Sequence, residues 1–285
     1  MKNYALLILA FVALAFVAAC GSKNKSGDSD SDKSSKYLVL YYSQTGATKT
    51  VAEELQKQLG ADIEEIEVDV PYDSSYEQTI ERAKQERESG ELPKVKPLVS
   101  NIDDYEVIFL GYPIWFGTYA LPIASLVKDY DFAGKKVVPF CTFGSGGLES
   151  SAIALKEALP NAEIADGYGV RNARIAAAPK EIDRFLKEDG YVEGSVEALP
   201  EYSEQQPVTD EDAALFNAAC GSYKFPLGTP ETVAKRTTSE GTDYKFNVKG
   251  TGPTGEVTMS TIYVTVGAAE GSTPEFTRVE RWMPL

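Results

Sequence analysis

The chain has 285 residues, 43% of them hydrophobic, which suffices for one large domain or two moderate ones. Its formal net charge of -15 argues against a nucleic-acid partner, because a phosphate backbone needs a basic patch. There is no histidine, and the three cysteines lie far apart. His-based catalysis, His metal sites, paired-thiol redox chemistry and zinc sites are therefore set aside.

The N-terminus reads as a targeting segment. Lys2 supplies the positive end, and Tyr4 to Ala19 is almost entirely Ala, Leu, Val, Ile and Phe. The run closes with Val17-Ala18-Ala19-Cys20-Gly21, which resembles a bacterial lipobox. That resemblance implies cleavage before Cys20 and acylation of the cysteine, giving a protein anchored in the cell envelope on its periplasmic or surface face. Several acyl chains anchor stably where one is marginal. A plain signal peptide or a membrane helix is the alternative, although the run is short for a span of roughly 20 residues. Residues 21–35, rich in Ser, Lys and Asp, read as a flexible tether.

A domain over residues 36–192 follows. Leu38 to Tyr42 is an apolar run suited to a buried strand. A hydroxyl-rich loop comes next, Ser43-Gln44-Thr45-Gly46-Ala47-Thr48, and then a helical pattern with Val51, Leu55 and Leu59 on one side and Gly60 as its stop. A strand, a hydroxyl loop and a helix start together make a place to hold a phosphate, because first-turn N–H groups are unpaired and partly positive. The plain alternative is a helix cap. Asp62 to Val68 reads as a second, more exposed strand. Residues 73–90 form a polar helix, expected to bury little and to lie over the loop edge as a loose flap.

Tyr105 to Leu110 is a third strand, apolar enough for burial on both faces. After it comes Gly111-Tyr112-Pro113-Ile114-Trp115-Phe116-Gly117-Thr118-Tyr119-Ala120-Leu121-Pro122, which is either a stiff core-plugging turn or a platform for a flat ring. Residues 131–142 give a turn and a fourth strand, followed by Phe143-Gly144-Ser145-Gly146-Gly147 and a helix through Ile153 and Leu155. Cys141 fits a buried strand position. Ala162 to Val170 is a weaker fifth strand. Pro179 to Asp189 is a closing helix with Ile182, Phe185 and Leu186 on one face. Alternating strands and helices predict an α/β fold with a parallel sheet covered on both faces. Ligands of such sheets sit beyond the carboxyl ends of the strands, where the strand order switches. The three glycine-bearing loops follow strands one, three and four, so all fall on that edge.

The Ser/Thr-x-Thr-Gly-x-Thr loop, the Gly-Tyr-Pro-Ile-Trp-aromatic-Gly loop and the glycine-rich third loop resemble those of the flavodoxin family. The resemblance covers roughly residues 36–190. It implies a doubly wound five-stranded parallel sheet of order 2-1-3-4-5 and flavin mononucleotide (FMN) as cofactor. By the same resemblance Ser43, Gln44, Thr45, Gly46, Ala47 and Thr48 hold the phosphate. Pro113, Ile114, Trp115, Phe116 and Gly117 contact the ring from one side, and Thr142, Phe143, Gly144 and Gly147 line the other. The stacking ring is left open among Trp115, Phe116 and Phe143. Gly117 would permit a peptide flip that turns a carbonyl toward the ring.

Residues 193–208 read as an acidic, Pro-punctuated linker, and residues 209–285 as a smaller α+β unit. Thr209-Asp210-Glu211-Asp212 resembles a capping box before a helix carrying Leu215, Phe216 and Ala219, with Gly221 as its stop and Cys220 in the core. Antiparallel strands follow, around Tyr244, Phe246 and Val248, over Val257 to Val266, and over Phe276 to Trp282. This order faintly resembles cystatin-like modules. Their inhibitory Gln-x-Val-x-Gly wedge is lacking, since Thr237-Thr238-Ser239-Glu240-Gly241 keeps only the glycine. Three functions follow from the resemblances. The first is a membrane-anchored flavin electron carrier with a redox protein or a small-molecule acceptor as partner. The second is an FMN-dependent NAD(P)H:quinone-type oxidoreductase, although nothing marks a nicotinamide site. The third is a non-redox binding module that has lost its flavin.

Overall fold

The computed structural model describes residues 36–252 and 255–281. The expected signal segment, the tether, Cys20 and Trp282 lie outside them. The chain opens with β1 (Tyr37–Tyr41), α1 (Ala47–Leu59), β2 (Asp62–Glu65) and α2 (Tyr76–Ser89). It continues with β3 (Val107–Trp115), β4 (Thr118–Tyr119), α3 (Leu121–Asp129), β5 (Lys136–Phe143) and α4 (Leu148–Ala158). Then come β6 (Glu163–Ile164), β7 (Tyr168–Arg171) and α5 (Ala178–Glu188). The remainder is β8 (Gln206–Pro207), α6 (Asp210–Cys220), β9 (Thr229–Thr238), β10 (Gly241–Thr251), β11 (Val257–Gly267) and β12 (Glu275–Arg281).

The first sheet runs β2-β1-β3-β5 and is completed by β6 and β7, both parallel to β5. This is the expected order, with the fifth strand in two pieces. The break has a chemical cause. Ala165 N–H donates to the Val137 carbonyl, so Val137 faces the outer strand, and Pro139, two residues on, faces it as well. Proline has no N–H to donate there. Pairing resumes at Phe140↔Tyr168.

Alternation along each strand sorts the side chains into two cores. Leu38, Leu40, Ile108, Leu110 and Cys141 share one face with Ile123, Leu126 and Leu155. Val39, Tyr41, Phe109, Val138 and Phe140 share the other with Val51, Leu55, Ile182 and Leu186. The helical spacings seen in the sequence thus place α1 and α5 on one side, and α3 and α4 on the opposite side.

Two expectations are corrected. The third strand does not stop at Leu110: Gly111, Tyr112 and Pro113 continue the ladder against Phe140, Cys141 and Thr142. Ile114 and Trp115 then turn into an antiparallel pair with Tyr119 and Thr118, so the ring loop narrows to Phe116-Gly117. Helix α2 is not a loose flap. Thr79 and Ala83 are buried, and Ser75 caps the helix by accepting from Gln78 N–H. The Tyr72 hydroxyl donates to the Glu86 carboxylate, while Arg82 lies 4.0 Å over the Tyr72 ring.

The second sheet is antiparallel, in the order β12-β11-β10-β9-β8. Helix α6 opens with the expected capping box between Thr209 and Asp212. It packs Phe216 and Cys220 on Val233, Phe246, Val248, Ile262, Val264 and Phe276, a third apolar core. Residues 203–208 are pinned along β9, with Ser203 N–H donating to the Lys235 carbonyl at 2.8 Å and Lys235 N–H donating back to Ser203 Oγ at 3.0 Å. The described residues all fall in one compact unit.

Candidate flavin-loop site

The loops after β1, β3 and β5 meet at the carboxyl edge of the first sheet, beside the switch from β1 outward to β2 on one side and β3 on the other. In the first loop Gly46 adopts φ 88°, a left-handed conformation suited to glycine, directly before α1. The first intrahelical bond is Thr50 N–H to the Gly46 carbonyl at 3.0 Å, and Lys49 N–H donates to Ser43 Oγ at 3.2 Å. Helix geometry gives Ala47 and Thr48 N–H no carbonyl partner within α1, and the helix dipole is positive there. Thr45 and Gly46 are exposed, and a Cβ on Gly46 would meet nothing within 4 Å. The loop therefore presents an open cradle of donors to an anion.

Besides Ser43, two more of its side chains are already engaged. Thr48 is buried and shares a 2.9 Å hydrogen bond with Thr142, which ties the first loop to the end of β5. Gln44 accepts from the Tyr42 hydroxyl at 2.6 Å and donates to the Asp73 carbonyl at 2.8 Å. Its side chain therefore braces the loop against the segment before α2.

The second loop carries backbone strain. Phe116 has φ 50°, the one positive value at a non-glycine among the described residues, and Gly117 follows at 82°. Ser150 Oγ, from the first turn of α4, donates to the Gly117 carbonyl at 2.5 Å. That carbonyl, the one a peptide flip would release, is thus held by α4. The three candidate aromatics have different surroundings. Phe143 lies in the core with a 3% exposed surface. Trp115 is half-buried and wedged edge-on between Tyr72 and Tyr42, with centroids at 5.0 and 5.9 Å. Phe116 is 42% exposed, with the Arg87 guanidinium 5.3 Å from its ring. Pro113 and Ile114, just before Trp115 on β3, are half-buried. Thr118 Oγ1, just past the turn, is a buried oxygen with no hydrogen-bond partner among the described residues.

The third loop closes on the second. A Cβ on Gly147 would lie 2.7 Å from the Ile114 side chain, so this glycine permits the approach. Gly144 is exposed. On its far side the loop meets the second sheet across a cavity of about 1260 Å³, lined in part by Phe116, Glu149, Tyr202, Tyr223, Arg278 and Glu280. Arg278 pairs with Glu280 at 2.7 Å and lies 3.7 Å over the Tyr263 ring, whose hydroxyl donates to Glu280 at 2.9 Å. Burial, and then the neighbouring Glu280 carboxylate, push the Glu149 carboxyl above its ordinary range. The Cys141 thiol is raised by burial alone and is closed to solvent, which excludes it as a reactive group.

The residues proposed from the sequence for all three loops are thus brought to one edge. Tyr42, Tyr72 and Ser150 were not anticipated. They act through tertiary contacts that no local motif marks.

A doubly wound parallel sheet with these three loops on its carboxyl edge defines a flavodoxin-like protein. A family model described as Flavodoxin matches residues 36–184, and the chain belongs to that family. Three solved structures illustrate the similarity. A putative flavoprotein from Bacteroides eggerthii DSM 20697 is 31% identical over 52% of this chain and 97% of its own, with a TM-score of 0.44. A putative flavoprotein from Bacteroides uniformis ATCC 8492 is 26% identical over 53% and 99%, with a TM-score of 0.48. A flavoprotein in complex with FMN from Lactobacillus acidophilus NCFM is 23% identical over 54% and 99%, with a TM-score of 0.44. No curated protein matches the chain.

Proposed function

We propose that the chain is an FMN-binding electron carrier of the bacterial cell envelope, tethered to a membrane through an acylated Cys20. The observation that carries the flavin reading is the convergence of the three loops, fastened by the Thr48–Thr142 hydrogen bond and the approach of Gly147 to Ile114. The residues suit the cofactor. The open cradle at Gly46 offers N–H donors for a phosphate, and Ile114, Trp115 and exposed Phe116 offer apolar cover for a flat ring. The unpartnered Thr118 hydroxyl lies next to that cover. Bound FMN would supply one- and two-electron transfer, while the protein sets its orientation and access to water. The acidic surface, at a formal net charge of -15, disfavours added negative charge on the ring.

The electron partner is proposed to be a redox protein or a small-molecule acceptor. The lipobox-like sequence before Cys20 supports the anchor, and the order of α6 before an antiparallel sheet supports a cystatin-like packing or binding module at the C-terminus. The test is to mix the detergent-solubilised full chain with FMN and remove excess by gel filtration. The expected result is a yellow protein that releases FMN on heating. A colourless protein whose tryptophan fluorescence ignores added FMN would overturn the redox reading in favour of a flavin-free binding module.

A further inference from the structure

The second sheet lies outside the matched family region, yet its last strand touches the third loop directly. Val279 N–H, on β12, donates to the Ser145 carbonyl at 2.8 Å. Gly146 sits so close to the same strand that an added Cβ would lie 2.1 Å from the Val279 carbonyl oxygen. Arg171, at the end of β7, ties loop and strand together. Its Nε donates to the Gly144 carbonyl at 2.8 Å and its Nη1 to the Phe276 carbonyl at 2.7 Å. Its guanidinium also lies 4.1 Å over the Phe276 ring. The three residues Gly144, Ser145 and Gly146 are thereby held from two sides. A glycine-rich loop with no such partners would sample many backbone conformations.

We propose that β12 and Arg171 clamp the loop after β5, so that the second sheet preorganises the flavin site and sets how tightly it holds its ligand. The inference rests on the flavodoxin reading. It assigns Val279 and Arg171 as positioning residues and Gly146 as the residue that lets the strand approach. The physical basis is preorganisation: a loop ordered before binding loses less entropy when the ligand arrives. β12 is the edge strand of its sheet, and Val279 N–H points away from β11 toward the loop. A proline at an edge position that points away from the ladder is tolerated.

The test uses Val279→Pro and Arg171→Met in the full chain, with Arg171→Lys as the conservative control. Hydrogen exchange of residues 143–148 is measured without ligand, and the FMN Kd and the visible circular dichroism of bound flavin are measured with it. The expected result is exchange at least tenfold faster in the loop, a Kd at least tenfold weaker, an altered flavin dichroism, and partial recovery of all three in Arg171→Lys. If wild-type protein takes up no FMN, the flavodoxin reading falls and this inference with it. If wild type binds and both variants bind equally tightly with an unchanged flavin spectrum, the flavin reading stands and the clamp alone is overturned. A fold-disrupting substitution would show as lost exchange protection in β1 and β3. In that event Gly146→Ala, which adds one methyl against the Val279 carbonyl, gives the same two-way decision.

Discussion

Glu149 and Glu280 meet across the cavity from different elements, one in the first turn of α4 and the other on β12. Burial and the Glu280 charge raise the Glu149 carboxyl, only partly offset by Arg278 and Lys245. A raised folded value means that the native state binds more protons than the unfolded chain between the ordinary carboxylate value, about 4.3, and the raised one. Stability therefore falls as pH rises through that window and levels off above it. Glu149→Gln removes the effect. Its Tm should match wild type below about pH 4 and exceed it at pH 7. Parallel Tm–pH curves for the two proteins would show that the fold does not raise the Glu149 carboxyl. The site-forming side chains at this scale were only partly legible in the sequence. Thr48 stood out as a loop hydroxyl and Thr142 as a ring-lining position implied by the resemblance, but their mutual bond joins residues 94 apart and leaves no sequence signal.

At the scale of elements, the central strands fix how the loops approach each other. Gly111 on β3 faces the fully buried Phe140 of β5, and a Cβ there would lie 2.1 Å from the ring. Gly111→Ala should cost about 1–3 kcal/mol through overpacking. At roughly 2–4 °C per kcal/mol for a domain of this size, Tm should drop by several degrees. Gly144→Ala is the control, since its added Cβ meets nothing within 4 Å and its φ is not positive. It should change stability by no more than about 0.5 kcal/mol. Equal Tm losses in the two variants, measured by calorimetry, would refute the packing argument. Most elements were legible here because alternation and helical spacing are local properties of the chain. The extension of β3 to Trp115 was not, because Gly111 and Pro113 read as loop formers and only the ladder to β5 makes them strand. The split fifth strand was hidden for a similar reason. Its cause is Pro139, on the neighbouring strand.

Across the whole molecule, two kinds of contact must be distinguished. Apolar side chains form three separate cores, and the core under α6 shares no residue with the two that flank the first sheet. The link between the sheets is mainly polar. Lys180–Glu240, at 3.1 Å, is exposed on both sides and contributes little. Arg174 differs: its side chain is 14% exposed and bonds Glu181 at 2.9 Å and Glu275, on β12, at 3.0 Å. Removing it leaves Glu275 without that partner and takes a cation from between the two sheets. Arg174→Gln should therefore loosen the docking of β12 before it weakens either core. In hydrogen exchange, residues 275–281 and the third loop should lose protection, while the centres of β10 and β11 around Phe246 and Ile262 keep theirs. The two central strands are shielded by their own ladder and by Phe216, neither of which Arg174 touches. If Phe246 and Ile262 lose protection in step with β12, the second sheet has no independent core, and the polar link is part of its folding unit rather than a joint between two units.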